Sequence, residues 1–269
     1  MIQEEINMIL GFSLAVIIGL SLGLMGGGGS ILTVPILVYA LDMDPKTAIA
    51  LSLAIVGLTS LVGSVSHMRA NNIHLKIAAI FGPIAMAGTF LGAKISVYLT
   101  GAMQLIIFAV VMLIASYFMF TKNKNQKEEL DEKEELDKKQ ATEKENLNIP
   151  LIMAEGIFVG ILTGIVGVGG GFMIVPALVL LTKIPMKKAI GTSLLIISFK
   201  SFAGFAGYLG QVTIPWTFLI QFSFFTIIGI LIGSHLVQYV SSQKLKRSFA
   251  VFLVIMGFFI LYKNASVFI

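Results

Sequence analysis

GLMGGGGSILTVP (Gly23–Pro35) and GIVGVGGGFMIVP (Gly164–Pro176) are one passage written twice, 141 residues apart. The match runs outward without a gap. Lys46-Thr47-Ala48-Ile49 falls on Lys187-Lys188-Ala189-Ile190, Ser52-Leu53 on Ser193-Leu194, Ser60 on Ser201 and Gly63 on Gly204. Farther along, Gly88 falls on Gly229 and Gly92 on Gly233. Ungapped agreement over that length marks an internal duplication.

The medium follows from composition. Of 269 residues, 57% are hydrophobic and 12% charged, against about 45–50% and about 25% in soluble domains. The mean hydropathy is +0.93. This chain has too little polar surface to cover a soluble fold. A globular cytosolic enzyme, a nucleic-acid-binding domain and a disordered chain are excluded, and the bilayer is the solvent. The chain has no cysteine, which excludes disulfides and thiolate chemistry. His67, His74 and His235 have no metal-ligand spacing. No metal, cofactor or nucleic-acid partner is expected. The acidic start before the first apolar run reads as a retained membrane helix rather than a signal peptide.

Charge is segregated. Residues 121–149 hold seven of the 19 basic and nine of the 14 acidic residues. The rest is basic and nearly free of carboxylates. Only Glu155 lies within a long apolar segment, near its start. A basic membrane part points to anionic cargo, because a cation carrier needs Asp or Glu in mid-helix. The linker reads as a solvated tether, helical or disordered.

Each half divides into five apolar segments: 6–24, 31–41, 47–68, 75–99 and 103–120, then 152–166, 172–182, 188–208, 215–239 and 246–262. The third and fourth of each half are long enough to span the hydrocarbon. The second is about 11 residues, ~16 Å as a helix. With that segment counted as a crossing and the linker inside, Arg69, Lys76, Lys183, Lys187, Lys188, Lys244, Lys246 and Arg247 fall on the cytoplasmic side. Only Lys46 and Lys263 fall outside. Without that crossing, most of these residues break the positive-inside rule. Five crossings per half is an odd number, which inverts one half against the other. The expectation is an all-α integral membrane protein of two inverted repeats. Residues 1–120 form the first repeat, 121–149 a cytoplasmic linker and 150–269 the second repeat. Both termini lie outside the plasma membrane, and a homo-oligomer is allowed.

The glycine runs open the two short segments. Glycine permits a tight turn and close ligand approach, and a helix N-terminus presents unpaired N–H groups to an anion. Two half-helices related by inverted symmetry point at a shared midplane cavity. Gly27, Gly28 and Gly29 with Ser30, and Gly169, Gly170 and Gly171, are therefore substrate-binding candidates, with Ser30 able to cap its helix. Ser52 and Ser193 join them as hydroxyl donors at equivalent positions. The competing reading is helix packing for the glycines and intrahelical bonding for the hydroxyls. Lys200 lies twelve residues from Lys188 and eight from Tyr208, in the middle of an apolar segment. Its repeat partner is Thr59, so the duplication does not account for the charge, and it is a candidate for neutralising the anion. His67, Lys94 and His235 read as interfacial.

The doubled glycine run followed by ILTVP and FMIVP, the stretches Ala50–Leu53 and Gly191–Leu194, and the turn Gly210–Trp216 together resemble the TauE/SafE family of sulfite exporters and sulfonate uptake permeases. The resemblance covers nearly everything outside the linker. It implies a permease for sulfite, thiosulfate, sulfonates or related small organic anions. The first half departs from the family pattern, with Arg69-Ala70-Asn71-Asn72 where the second has Gly210-Gln211-Val212-Thr213. The expected function is anion movement by alternating access around a midplane site formed by the two glycine-rich helix starts. An anion channel, and a membrane accessory subunit or enzyme, are the alternatives left open.

Overall fold

The computed structural model describes residues 2–121, 149–166, 174, 175, 178, 184, 186–239 and 242–264. The linker candidates at 122–148, the second glycine run with Gly169, Gly170 and Gly171, and the side chain of Glu155 lie outside the described residues. The described structure is helical: α1 (Ile2–Met25), α2 (Ser30–Pro35), α3 (Pro45–Arg69), α4 (Leu75–Ile95), α5 (Gly101–Thr121), α6 (Ile149–Val166), α7 (Met186–Tyr208), α8 (Trp216–Leu236) and α9 (Ser242–Lys263). Four stretches are long and apolar enough to cross a bilayer: Pro45–Arg69, Leu75–Tyr98, Lys188–Tyr208 and Trp216–Leu236. They are the third and fourth segments of each half, as their lengths predict.

Local chemistry sets the ends. The Asp44 side chain accepts from the Thr47 N–H at 3.0 Å, and Pro45 occupies the first turn of α3, where its missing N–H costs nothing. Between α3 and α4, Asn71 takes a positive φ of 55°; between α7 and α8, Gly210 takes 82°. Asparagine tolerates the left-handed region. The first turn can therefore do without the family's glycine, with its left-handed residue at a different place. Gly26–Gly29 form one 3-10 turn, and Ser30–Ala40 continue as a short helix, regular to Pro35 and then widened.

The packing is reciprocal between halves. First segments pack on fourth segments (α1 on α8, α6 on α4), third on fourth (α3 on α8, α7 on α4), third on third (α3 on α7) and fifth on fifth (α5 on α9). The directions can be read from close approaches. Leu53 meets Gly204, Gly57 meets Phe202 and Gly63 meets Leu194, so α3 and α7 run antiparallel. Thr59 meets Thr226 and Gly63 meets Ile230, so α3 and α8 run parallel. α4 and α7 are likewise parallel, with Thr89 at Gly204 and Ala93 at Gly207.

The tightest packing uses four equivalent glycine pairs. Gly19 and Gly23 of α1 lie against Gly229 and Gly233 of α8, and Gly88 and Gly92 of α4 lie against Gly160 and Gly164 of α6. A Cβ at Gly92 would overlap the Ile161 carbonyl, and one at Gly233 the Leu20 carbonyl. This is the small-xxx-small contact of membrane helices, where dispersion between close backbones replaces hydrophobic drive. α3 and α7 are the most enclosed of the four long helices; α4 and α8 expose large apolar residues such as Phe90, Ile220 and Phe224. Tyr98 and its repeat equivalent Tyr239 are exposed at the ends of their segments, where an aromatic ring suits a headgroup layer.

Candidate functional site

The α3–α7 crossing is the enclosed centre of the molecule. Its middle lies between the Leu53–Gly204 and Gly63–Leu194 contacts, at the level of Thr59-Ser60 and Lys200-Ser201. Lys200 is fully buried. Its Nζ donates to Thr163 Oγ1 of α6 at 3.0 Å. Thr163 Oγ1 in turn donates to the Gly160 carbonyl at 3.0 Å and lies 3.5 Å from Thr89 Oγ1. No carboxylate pairs with the ammonium among the described residues. An ammonium has three N–H donors, and one is used among the described residues. Thr163 stands four residues before Gly167 in the sequence. In the other half, the equivalent Thr59 Oγ1 donates to the Ile55 carbonyl at 2.7 Å and lies 2.7 Å from Thr226 Oγ1.

Most interior hydroxyls have committed their single O–H to their own helix. Ser52 donates to Ile49 at 3.1 Å, Ser193 to Ile190 at 2.8 Å and Ser198 to Leu195 at 2.8 Å. To serve an anion, each must break that bond. Ser60 and Ser201 differ. They are repeat equivalents, both fully buried, and neither hydroxyl has a hydrogen-bond partner among the described residues. Thr33 of α2 is in the same condition. Buried polar groups are rarely left unpaired, and these two unsatisfied hydroxyls lie at the level of Lys200 along the crossing helices. The repeat match carried Ser60 and Ser201, yet nothing in the sequence separated them from their bonded neighbours.

The structure does not bring all the sequence candidates together. Ser52 and Ser193 lie toward opposite ends of the helix pair, each seven or eight residues, ~10–12 Å, from the crossing. The first glycine turn is level with Ser193, not with Lys200. A Cβ at Gly26, whose φ is +63°, would sit 3.1 Å from Ser193 Oγ and 3.3 Å from Val175 of the second short segment. Gly27 and Gly29 are buried, and Gly28 belongs to the same turn. A Cβ at Gly29 would strike the backbone of Ser21 and Leu22, so this glycine serves the packing of the turn on α1. Ser30 does not cap its helix: Gly29 is the N-cap residue, and Ser30 Oγ donates back to the Gly27 carbonyl at 2.6 Å. The carbonyl one turn back is nearer to hand than the N–H groups ahead. His67, expected at the interface, is 4% exposed, because the C-terminal turn of α3 is covered by α7. Lys94 is exposed with its ammonium 5.7 Å above the Phe90 ring.

The family model for the sulfite exporter TauE/SafE matches residues 11–260. The chain belongs to the TauE/SafE family. It is 28% identical to a probable membrane transporter protein of Xylella fastidiosa, covering 92% of each chain. It is 27% identical to the probable membrane transporter protein YdhB of Bacillus subtilis, covering 91% of this chain and 97% of that one. A probable membrane transporter protein of Methanocaldococcus jannaschii is 26% identical over 97% of this chain and 99% of its own. No solved structure matches the chain. As a TauE/SafE protein it is a membrane transporter, a class defined by passage rather than catalysis, with several apolar helices suited to a bilayer.

Proposed function

We propose that this transporter moves a small anion, sulfite, thiosulfate or a sulfonate by class, through the α3–α7 crossing by alternating access. The observation that carries the reading is Lys200: fully buried, bonded to one hydroxyl, and without a carboxylate partner among the described residues. Burying a lysine at mid-helix costs roughly 2.5–3.5 kcal/mol, and an unpaired interior cation needs a compensating anion or polar cavity. Ser60 and Ser201 supply uncommitted donors at the same level. In this reading the glycine turns, with Ser193 at the first, flank the central position rather than form it. The committed bond of Ser52 opens to an anion only transiently. Gly169, Gly170 and Gly171 play at the other end the part that Gly27, Gly28, Gly29 and Ser30 play at the first. The test is a liposome flux panel with sulfite, thiosulfate, sulfate, methanesulfonate and acetate. Flux of sulfur oxyanions well above acetate is expected; no anion flux refutes the reading.

We further propose that the halves are inverted in the membrane, with both termini outside and 121–149 in the cytoplasm. Two observations support this independently: the one-sided distribution of basic residues and the helix directions. Antiparallel α3 and α7, with α3 parallel to α8 and α4 parallel to α7, suit an odd number of crossings per half. An even number would reverse all three relations. The chain has no cysteine, so a single cysteine at Lys133 is a clean reporter. It should resist an impermeant thiol reagent in intact cells and react in inverted vesicles. Reaction from outside would overturn the topology.

A further inference from the structure

A cavity of about 200 Å³ opens beside the C-terminal end of α3, lined by Ser66, His67, Asn72, Ile190, Ser234 and Val237. It adjoins the first glycine turn, because Ile190 also lies 3.2 Å from the position of a Gly26 Cβ. His67 is buried, and neither ring nitrogen has a hydrogen-bond partner among the described residues. The lining contains an imidazole, hydroxyls and an amide, but no carboxylate. That chemistry can donate to an oxyanion and its water, once Ser234 releases its bond to the Leu231 carbonyl at 3.1 Å, and it has no charge to hold a cation.

Among the described residues, a tyrosine fills the same place in the other repeat. The 141-residue offset puts Tyr208 at the position of His67, and Gly207, Ala93 and Ser96 at those of Ser66, Ser234 and Val237. Tyr208 is fully buried, and its hydroxyl lies 3.1 Å from the carbonyls of both Gly164 and Ile165, just before the second glycine run. Gln104 Nε2 donates to Tyr208 Oη at 3.2 Å. Gln211, at the position of Ala70, which also lines the cavity, donates through Nε2 to the Gly207 carbonyl at 2.7 Å and to the Ala93 carbonyl at 3.1 Å.

We infer that the His67 cavity is an anion-binding vestibule leading to the first glycine turn, and that the Tyr208–Gln104–Gln211 cluster is the closed gate at the equivalent place in the other repeat. The structure is thus one access state, open at the α3 C-terminus. The gate must part for the anion to leave at the other end. The anion assignment rests on the transport reading above; the open-and-plugged asymmetry does not.

Matched cysteines separate the two. Val237 and Ser96 are 8% and 1% exposed, so plain exposure gives them similar access. In purified protein in detergent, Val237→Cys should react with a charged maleimide about tenfold faster than Ser96→Cys, because thiol reactivity follows access. Ser234→Cys against Ala93→Cys is a second such pair. Adding Tyr208→Ala should speed Ser96→Cys about tenfold and leave Val237→Cys unchanged. Sulfate or methanesulfonate, which do not attack maleimide, should slow Val237→Cys labelling severalfold, and His67→Ala should remove that protection without changing the unprotected rate. Equal rates in both pairs overturn the vestibule and gate. Unequal rates with no protection by either anion overturn the anion assignment alone, and protection that survives His67→Ala overturns the role of His67.

Discussion

Gly92→Val is expected to leave little folded protein. A Cβ at Gly92 would overlap the Ile161 carbonyl and stand 3.0 Å from the Ile165 nitrogen, and both obstacles are backbone. No rotamer change relieves such a clash, so α4 and α6 must move apart along their length. Overpacking a core side chain costs about 1–3 kcal/mol, and separating two backbones in close contact costs more. Gly233→Val should do the same to α1 and α8, since Gly233 meets the Leu20 carbonyl and Gly23 Cα. Gly82 is the control. A Cβ there meets nothing within 4 Å, so Gly82→Ala should raise stability by about 1 kcal/mol through helix propensity alone. Thermal midpoints and size-exclusion profiles in detergent decide the matter. A normal midpoint for Gly92→Val would show that the helices do not approach this closely.

Lys200→Met is expected to separate stability from function. Methionine keeps the length and removes a buried charge whose ammonium has one partner, Thr163 Oγ1 at 3.0 Å. The thermal midpoint should rise, because the desolvation cost disappears while the packing remains. Anion affinity should fall tenfold or more, about 1.4 kcal/mol. This is well within the Coulomb attraction of about 4 kcal/mol at 4 Å and an effective dielectric of 20. Lys200→Arg should restore part of the binding if charge is what the site needs. Ser60→Ala with Ser201→Ala should weaken binding and leave the midpoint level or raised, since neither buried hydroxyl has a partner to lose among the described residues. Isothermal titration with sulfate and methanesulfonate reads the affinities. Unchanged affinity in Lys200→Met would remove Lys200 from the site.

Much of the architecture was legible because a bilayer imposes local rules. Apolar length marked 47–68, 75–99, 188–208 and 215–239 as the long spans, and the structure carries them as Pro45–Arg69, Leu75–Tyr98, Lys188–Tyr208 and Trp216–Leu236. The glycine run of residues 26–29 was visible as a break before a short helix, and it is a turn followed by Ser30–Ala40. Lys200 stood out as a cation in an apolar run, and it is buried. Ser52 and Ser193 lie apart. Repeat equivalence made them a pair, but equivalent positions on antiparallel helices lie at opposite ends unless they fall at the crossing. Ser60 and Ser201 do fall there.

Duplication, the four long spans and their order, the medium and an interior poor in carboxylates were all readable along the chain. Each is a property of composition or spacing along the chain, and a membrane core enforces it residue by residue. Only the tertiary structure decided which faces meet. It set Gly88 and Gly92 of one half on Gly160 and Gly164 of the other, and left His67 beside a cavity while Tyr208 fills the equivalent place. Those outcomes depend on contacts between residues far apart in the chain. A repeat offset says which positions correspond, but not which of them touch, nor which of two equivalent places is open.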